Sequence, residues 1–275
     1  LKWDHNRDLI EAGSGRPGVH GQTLAVYRLL DELRVRHPDV EIESCSSGGA
    51  RVDLGILLRT DRVWASDTND ALERQQIQRW TGLLLPPELV GSHVGPPRSH
   101  TTGRRHELSL RAITALFGHV GIEWDIATAS DSERAELAGW VAIAKSQRDL
   151  IHTGDIVRID EAEPGLLVHG VVAADRTRAL FAVVAIGSRS VEPPPLVRFA
   201  GLDPTSSYRL VLLSPDVGGS APSDHVAAIH RTNATSGVTQ TVLPGSAFMR
   251  LGWRAPAMTP ESALLIRLDS EVTDH

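Results

Sequence analysis

Two carboxylates and one thiol are the residues of this 275-residue chain whose types and spacing could do chemistry. Asp4 stands in the opening run Lys2-Trp3-Asp4-His5-Asn6-Arg7, among alternating charged and aromatic residues. Asp67 closes the short run that begins at Arg62, and Cys45, the sole cysteine, precedes a Ser/Gly-rich turn. A pair of carboxylates brought together from separate strands is the equipment of glycosidic-bond cleavage, with one acting as acid and the other as nucleophile or base. By spacing, Lys2 and Asp4 share a strand face, so the ammonium would keep that carboxylate ionised, as a nucleophile requires. Each aspartate also has a plainer reading, as a helix cap or a solvated loop residue. Asp70 followed by Glu73 ahead of a helix is the ordinary cap pattern.

Other chemistries find less to rest on. Residues 13–18, GSGRPG, fit the spacing G-x-G-x-x-G, but no buried strand runs into them and Pro17 sits where the helix should begin, so they read as a loop rather than a dinucleotide site. His93, His100, His106 and His119 lack metal-ligand spacing, and one cysteine adds little, so neither a metal nor a cofactor is expected. No G-x-S-x-G elbow supports a serine hydrolase.

The elements that must position these residues change character near Gly154. Up to there, short apolar runs over 1–4, 40–45, 62–66, 89–94 and 118–124 alternate with helical patterns over 23–35, 72–85, 108–117 and 134–150, which predicts β/α units on a parallel sheet. Ser130-Asp131-Ser132-Glu133 is a capping box for the last helix. Asp4 and Asp67 then both follow strands, the location that faces the catalytic mouth of a (β/α)8 barrel. A five-strand set that opens abruptly on a strand reads as the second part of such a barrel, strands 4 to 8. Its missing neighbours would leave the apolar runs 40–45 and 89–94 partly wetted. After Gly154, short Val/Leu/Ile-rich runs over 155–159, 165–172, 179–185, 207–213, 226–230, 238–243 and 263–268, separated by turn residues, predict an antiparallel β-sandwich, with loops at 193–195 and 214–224. The domains expected are 1–154 and 155–275.

A formal net charge of −6 argues against nucleic-acid or anionic-membrane partners, and no apolar run is long enough to span a bilayer. A single cysteine weakly favours a reducing, cytoplasmic setting, although a chain starting at Leu1 says nothing about secretion. Self-association into a homo-oligomer is left open.

Five ordered motifs, KWDHNR, ESCSSGGARVDLG, VWASDTNDALERQ, GSHVGPPRSHTTGR and FGHVGIEWD, resemble those of the glycoside hydrolase family 36 α-galactosidases, with weaker echoes in LDPTSSYRL and PGSAFMRLGW. The resemblance implies a (β/α)8 barrel with a β-sandwich after it, and a retaining hydrolase of melibiose- and raffinose-type galactosides. It makes Asp4 the nucleophile and Asp67 the acid/base, with Lys2, Cys45 and Ser47 contacting the sugar. Cys45 would border the C2 hydroxyl, leaving little room for an N-acetyl group, and its alkylation should be blocked by galactose. Burial and the charge of Asp4 would keep Asp67 protonated for its acid role. The chain departs from the family in reading Asp67-Thr68-Asn69-Asp70 for D-N-T-D, in carrying Ser47 and Ala50 where glycine is common, and in lacking the first three barrel strands with their sugar-binding residues. A galactosyl transferase of the raffinose-synthase kind and a non-catalytic carbohydrate-binding piece remain alternatives.

Overall fold

A computed structural model describes residues 1–4, 18–160, 163–188, 196–215 and 241–271. The glycine loop at 13–17, Arg7, the proline run 193–195, the expected strand 226–230 and parts of 214–224 and 238–243 lie outside the described residues.

The first half forms a five-stranded parallel sheet whose strands lie side by side in chain order: β1 (Lys2–Trp3), β2 (Glu43–Ser44), β3 (Arg62–Trp64), β4 (Val90–Val94) and β5 (His119–Ile122). Helices α1 (Val19–Arg36), α3 (Ala71–Thr81) and α4 (Leu108–Leu116) fall where the apolar periodicity predicts them. The register Lys2↔Glu43↔Arg62 and Gly91↔His119 puts Lys2, Glu43, Arg62, Trp64, His93 and His119 on one face of the sheet. The opposite face carries Trp3, Ile42, Val63, Val90, Val94 and Val120. Those side chains pack under the helices: Trp3 and Ile42 with Leu30 of α1, Val63 and Val90 with Leu85, Val94 and Val120 with α4.

This alternation corrects one expectation. In the runs 40–45 and 89–94 only Val40, at 44 %, is an exposed large apolar residue; Ile42, Cys45, Val90 and Val94 are all buried. Apart from Trp64 and Cys45, the side chains on the face without helices are polar or charged, so Ile42, Val90 and Val94 do not depend on it for cover.

Helix α5 (Asp131–Thr153) starts at the expected capping box, with Ser130 Oγ accepting from the Glu133 amide at 3.2 Å and Glu133 Oε2 accepting from the Ser130 amide at 2.8 Å. Such a cap stabilises a helix by about 1 kcal/mol. Past it, β6 (Asp155–Ile159), β7 (Leu166–Val172), β8 (Arg178–Ala185), β10 (Ser207–Leu213), β11 (Thr241–Pro244) and β13 (Ser262–Ser270) form an antiparallel sheet in the order β11-β10-β13-β8-β7-β6. A second, two-stranded piece pairs β9 (Leu196–Val197) with β12 (Trp253–Arg254). Among the described residues these two antiparallel pieces are unequal in size. One face of the large sheet packs Val168, Phe181, Val183 and Ile266 against Phe199 and, from α6 (Gly245–Arg250), Phe248. Its other face packs Val171, Leu180, Ala182, Val184 and Leu265 against Ile113 of α4 and Leu137, Trp140 and Ile151 of α5. A sheet apolar on both faces needs cover on both, and two helices of the first half supply one of them. Sequence reading missed α6, the β9–β12 ribbon and α2 (Leu54–Leu57), a single turn capped by Asp53. Among the described residues no helix is long and apolar enough to cross a membrane.

Candidate active site

The C-terminal ends of β1, β2 and β3 bring three of the expected residues together. Backbone pairing continues past β1, with the Cys45 amide donating to the Trp3 carbonyl at 2.8 Å, and this holds Cys45 beside Asp4. Its Sγ lies 3.8 Å from Asp67 Oδ1, and a hydrogen bond with Asp4 also acts on the thiol. The only thiol of the chain thus sits between the two aspartates. Asp4 and Asp67 are exposed, whereas Cys45 is fully buried. Burial, reinforced by Asp4 and outweighing the Gly48 amide and Lys2, pushes the thiol up to about 11, so it is uncharged at neutral pH. The burial expected around Asp67 is not supplied by the described residues. Ready alkylation of Cys45 is not expected either, because a buried thiol far from its pKa neither meets nor attacks the reagent.

Asp70 is a cap, 0 % exposed, accepting from the Leu72 and Glu73 amides at 2.9 and 3.1 Å and from the Thr102 hydroxyl. Burial opposes its charge, but these donors outweigh it and hold the carboxyl below its ordinary range. Ser47 is exposed at the turn after β2 with φ of 45°, in the left-handed region that favours glycine. Gly48 follows with φ of 75°, and a Cβ there would lie 2.5 Å from Ser66 Cα, so the turn packs directly on the backbone that carries Asp67.

Below the aspartates is a cluster that sequence reading did not assemble. Trp64, 1 % exposed, stacks on His93 with ring centroids 4.1 Å apart. The Arg74 guanidinium lies 3.7 Å from the same indole centroid and Lys2 Nζ 4.8 Å. His93 Nδ1 is 3.1 Å from Glu123 Oε2, and its Nε2 is 3.7 Å from Glu43 Oε2, which also accepts from Arg62 Nε at 3.2 Å. Burial works against the imidazolium, yet Glu123 and Glu43 outweigh it and raise the His93 pKa. For Glu43 burial likewise opposes the charge, and His93, Arg62 and Lys2 win and lower it. Glu123 is lowered first by its hydrogen bond from His93. Gly91 makes room for this ion pair, since a Cβ there would come within 2.5 Å of Glu43 Oε2. The available signal was the alternation itself: Glu43, Arg62 and His93 are ionisable residues, each next to an apolar residue that faces the other way, Ile42, Val63 and Val94. Among the described residues no group of three or more His, Cys, Asp or Glu side chains is placed to hold a metal ion. The two exposed carboxylates thus stand at the ends of β1 and β3, on either side of Cys45, above this charged cluster.

Known proteins share this arrangement of sequence and fold. Residues 1–154 match the family described as Melibiase, and residues 167–268 the glycosyl hydrolase family 36 C-terminal domain. An α-galactosidase of Escherichia coli is 41 % identical over 279 residues, covering 99 % of this chain and 38 % of its own length. α-Galactosidase AgaA of Geobacillus stearothermophilus is 34 % identical, over 76 % of this chain and 30 % of its own. Among solved structures, the family 36 α-galactosidase AgaB of the same organism superposes with a TM-score of 0.81 at 30 % identity, over 98 % of this chain and 35 % of that one. A variant of AgaA in complex with raffinose has a TM-score of 0.81 at 29 % identity, over the same shares. The chain therefore spans between a quarter and two-fifths of the length of these relatives.

Proposed function

The chain belongs to the melibiase family, glycoside hydrolase family 36, and on that premise we propose that it carries the catalytic centre of a retaining α-galactosidase acting on melibiose- and raffinose-type galactosides. Asp4 is the nucleophile: a carboxylate oxygen bonds to the anomeric carbon as the bond to the aglycone oxygen breaks. Asp67 gives that oxygen its proton, then takes one from the water that displaces Asp4. Lys2 and Ser47 contact the sugar, and Cys45, buried between the two aspartates, backs the C2 side of the site. No cofactor takes part.

The observation that carries this reading is the shared thiol: Cys45 Sγ lies 3.8 Å from Asp67 Oδ1 and shares a hydrogen bond with Asp4, which supports a common mouth for carboxylates that follow β1 and β3. The architecture supports it. Five parallel strands in chain order, helices on one face and polar side chains on the other, are what strands 4 to 8 of a (β/α)8 barrel look like. We read residues 1–154 as that part of the barrel and 155–275 as the β-sandwich behind it. The single cysteine fits a cytoplasmic setting.

In the full-length protein, Asp4→Asn and Asp67→Asn should each lower turnover of p-nitrophenyl α-galactoside by roughly three orders of magnitude or more. Azide separates their roles. It should rescue Asp4→Gly to give the inverted β-galactosyl azide, and Asp67→Gly to give the retained α product. The opposite pairing would exchange the two assignments, and full activity in either variant would remove the residue from the mechanism.

A further inference from the structure

Arg74 is a buried charge in the neighbourhood of the site that the reaction as written leaves unused. Its side chain is 2 % exposed, and burying a guanidinium is expensive unless it is compensated. Compensation is incomplete: Nε and Nη1 have no hydrogen-bond partner among the described residues. The hydrogen bond it makes among the described residues is informative. From the first turn of α3, Nη2 donates to the carbonyl of Ser66, the residue before Asp67. Its guanidinium lies against the Trp64 indole, two residues further back on the same strand end. Gly48 abuts the Ser66 Cα and the Asp67 amide from the turn after β2. The Ser66–Asp67 peptide is thus held between a glycine turn and a buried arginine. That backbone carries the exposed Asp67 carboxylate, whose Oδ1 also meets Cys45 Sγ at 3.8 Å.

We propose that Arg74 is a positioning residue for Asp67, fixing the loop that aims the acid/base carboxylate through the Ser66 carbonyl and the Trp64 ring. This rests on the acid/base role given to Asp67 above. Arg74 stays charged at neutral pH: burial pushes it down to about 10 against the pull of Glu123, Asp67 and Glu43. Its charge is therefore present throughout the cycle. A lysine retains charge but cannot reach the carbonyl and lie flat on the indole together.

A misaimed acid has a signature that general destabilisation lacks. Proton donation matters when the leaving group is poor and hardly at all when it is good. The test is a series of α-galactosides on the full-length protein, from 2,4-dinitrophenyl through phenyl to methyl, with Asp67→Asn as reference. Arg74→Met should lower kcat/KM roughly tenfold or more on the methyl and phenyl substrates, and less than about threefold on the dinitrophenyl one, with kcat rather than KM carrying the change. Arg74→Lys should fall between Arg74→Met and the wild type. A uniform loss across the series, or none, overturns the proposal. If Asp67→Asn shows leaving-group dependence and Arg74→Met does not, only the role of Arg74 falls; if Asp67→Asn shows none, the acid/base assignment falls with it. Should both Arg74 variants fail to fold, as read by circular dichroism, the arginine is a structural residue and the proposal is rejected.

Discussion

A thiol enclosed between two carboxylates is a poor nucleophile for two separate reasons, access and charge. Cys45 has no exposed surface, and its pKa of about 11 leaves roughly a hundredfold less thiolate at pH 7.5 than an ordinary cysteine has. Iodoacetamide should therefore modify the folded protein slowly near neutral pH. The rate should climb toward pH 11 and become fast at any alkaline pH once the chain is unfolded, all read by intact mass. Modification of the folded protein at the rate of a free thiol would show that Cys45 is not enclosed. The three residues meeting here, Asp4, Cys45 and Asp67, were legible because each follows a short apolar run, and strand ends share a mouth. Arg74 and Glu123 were not. Arg74 sits in a helix whose polar residues look solvated, and its burial is decided by an aromatic ring ten residues earlier. Glu123 meets His93 only because β4 and β5 are adjacent, a pairing that apolar periodicity does not specify.

Elements with strong periodicity or explicit chemistry at their ends are the ones the amino-acid pattern announces. Helix α5 begins at its Ser130/Glu133 box, and α1 packs Leu30 where the stripe requires. The single-turn α2 and the two-residue strands of the β9–β12 ribbon are too short to establish any period. The polar face of the parallel sheet is also an element-scale property, and it has a pH dependence. His93 has a folded pKa above its unfolded value of about 6.5, so its contribution is complete below that value and is lost as pH rises through the folded pKa. Glu43 and Glu123 have lowered pKa values, so theirs is present above about 4.3 and is lost as pH falls through the folded values. The ion cluster is strongest in the mildly acidic interval between. His93→Gln should thus cost most stability near pH 5 to 6 and progressively less at higher pH, measured as the shift in Tm against wild type across that range. A cost that grows with pH would contradict the imidazolium reading.

At the scale of the whole molecule, the change from parallel to antiparallel sheet near Gly154 is not a division in packing. Leu137, Trp140 and Ile151 of α5 share a core with Leu180, Ala182 and Leu265 of the antiparallel sheet, and His106 ahead of α4 reaches Glu261 at 3.3 Å. By contrast, among the described residues β1 and α1 rest on a small core in which Leu30, Ile42 and Ile56 are fully buried. Local opening free energy follows buried apolar contact, so protection should follow these cores and not the sheet boundary. A protease aimed at the boundary would be expected to release an intact sheet beginning at Asp155. The packing instead predicts that α4 and α5 stay with that sheet, because stripping them would bare its apolar face. In hydrogen-exchange mass spectrometry of the 275-residue chain, amides of α4, α5, β7, β8 and β13 should exchange together as the slowest group, with α1 and β2 exchanging at least roughly tenfold faster. Faster exchange of α5 than of β8, at the rate of α1, would mean that the two sheets unfold separately and that the shared core contributes little to holding them together.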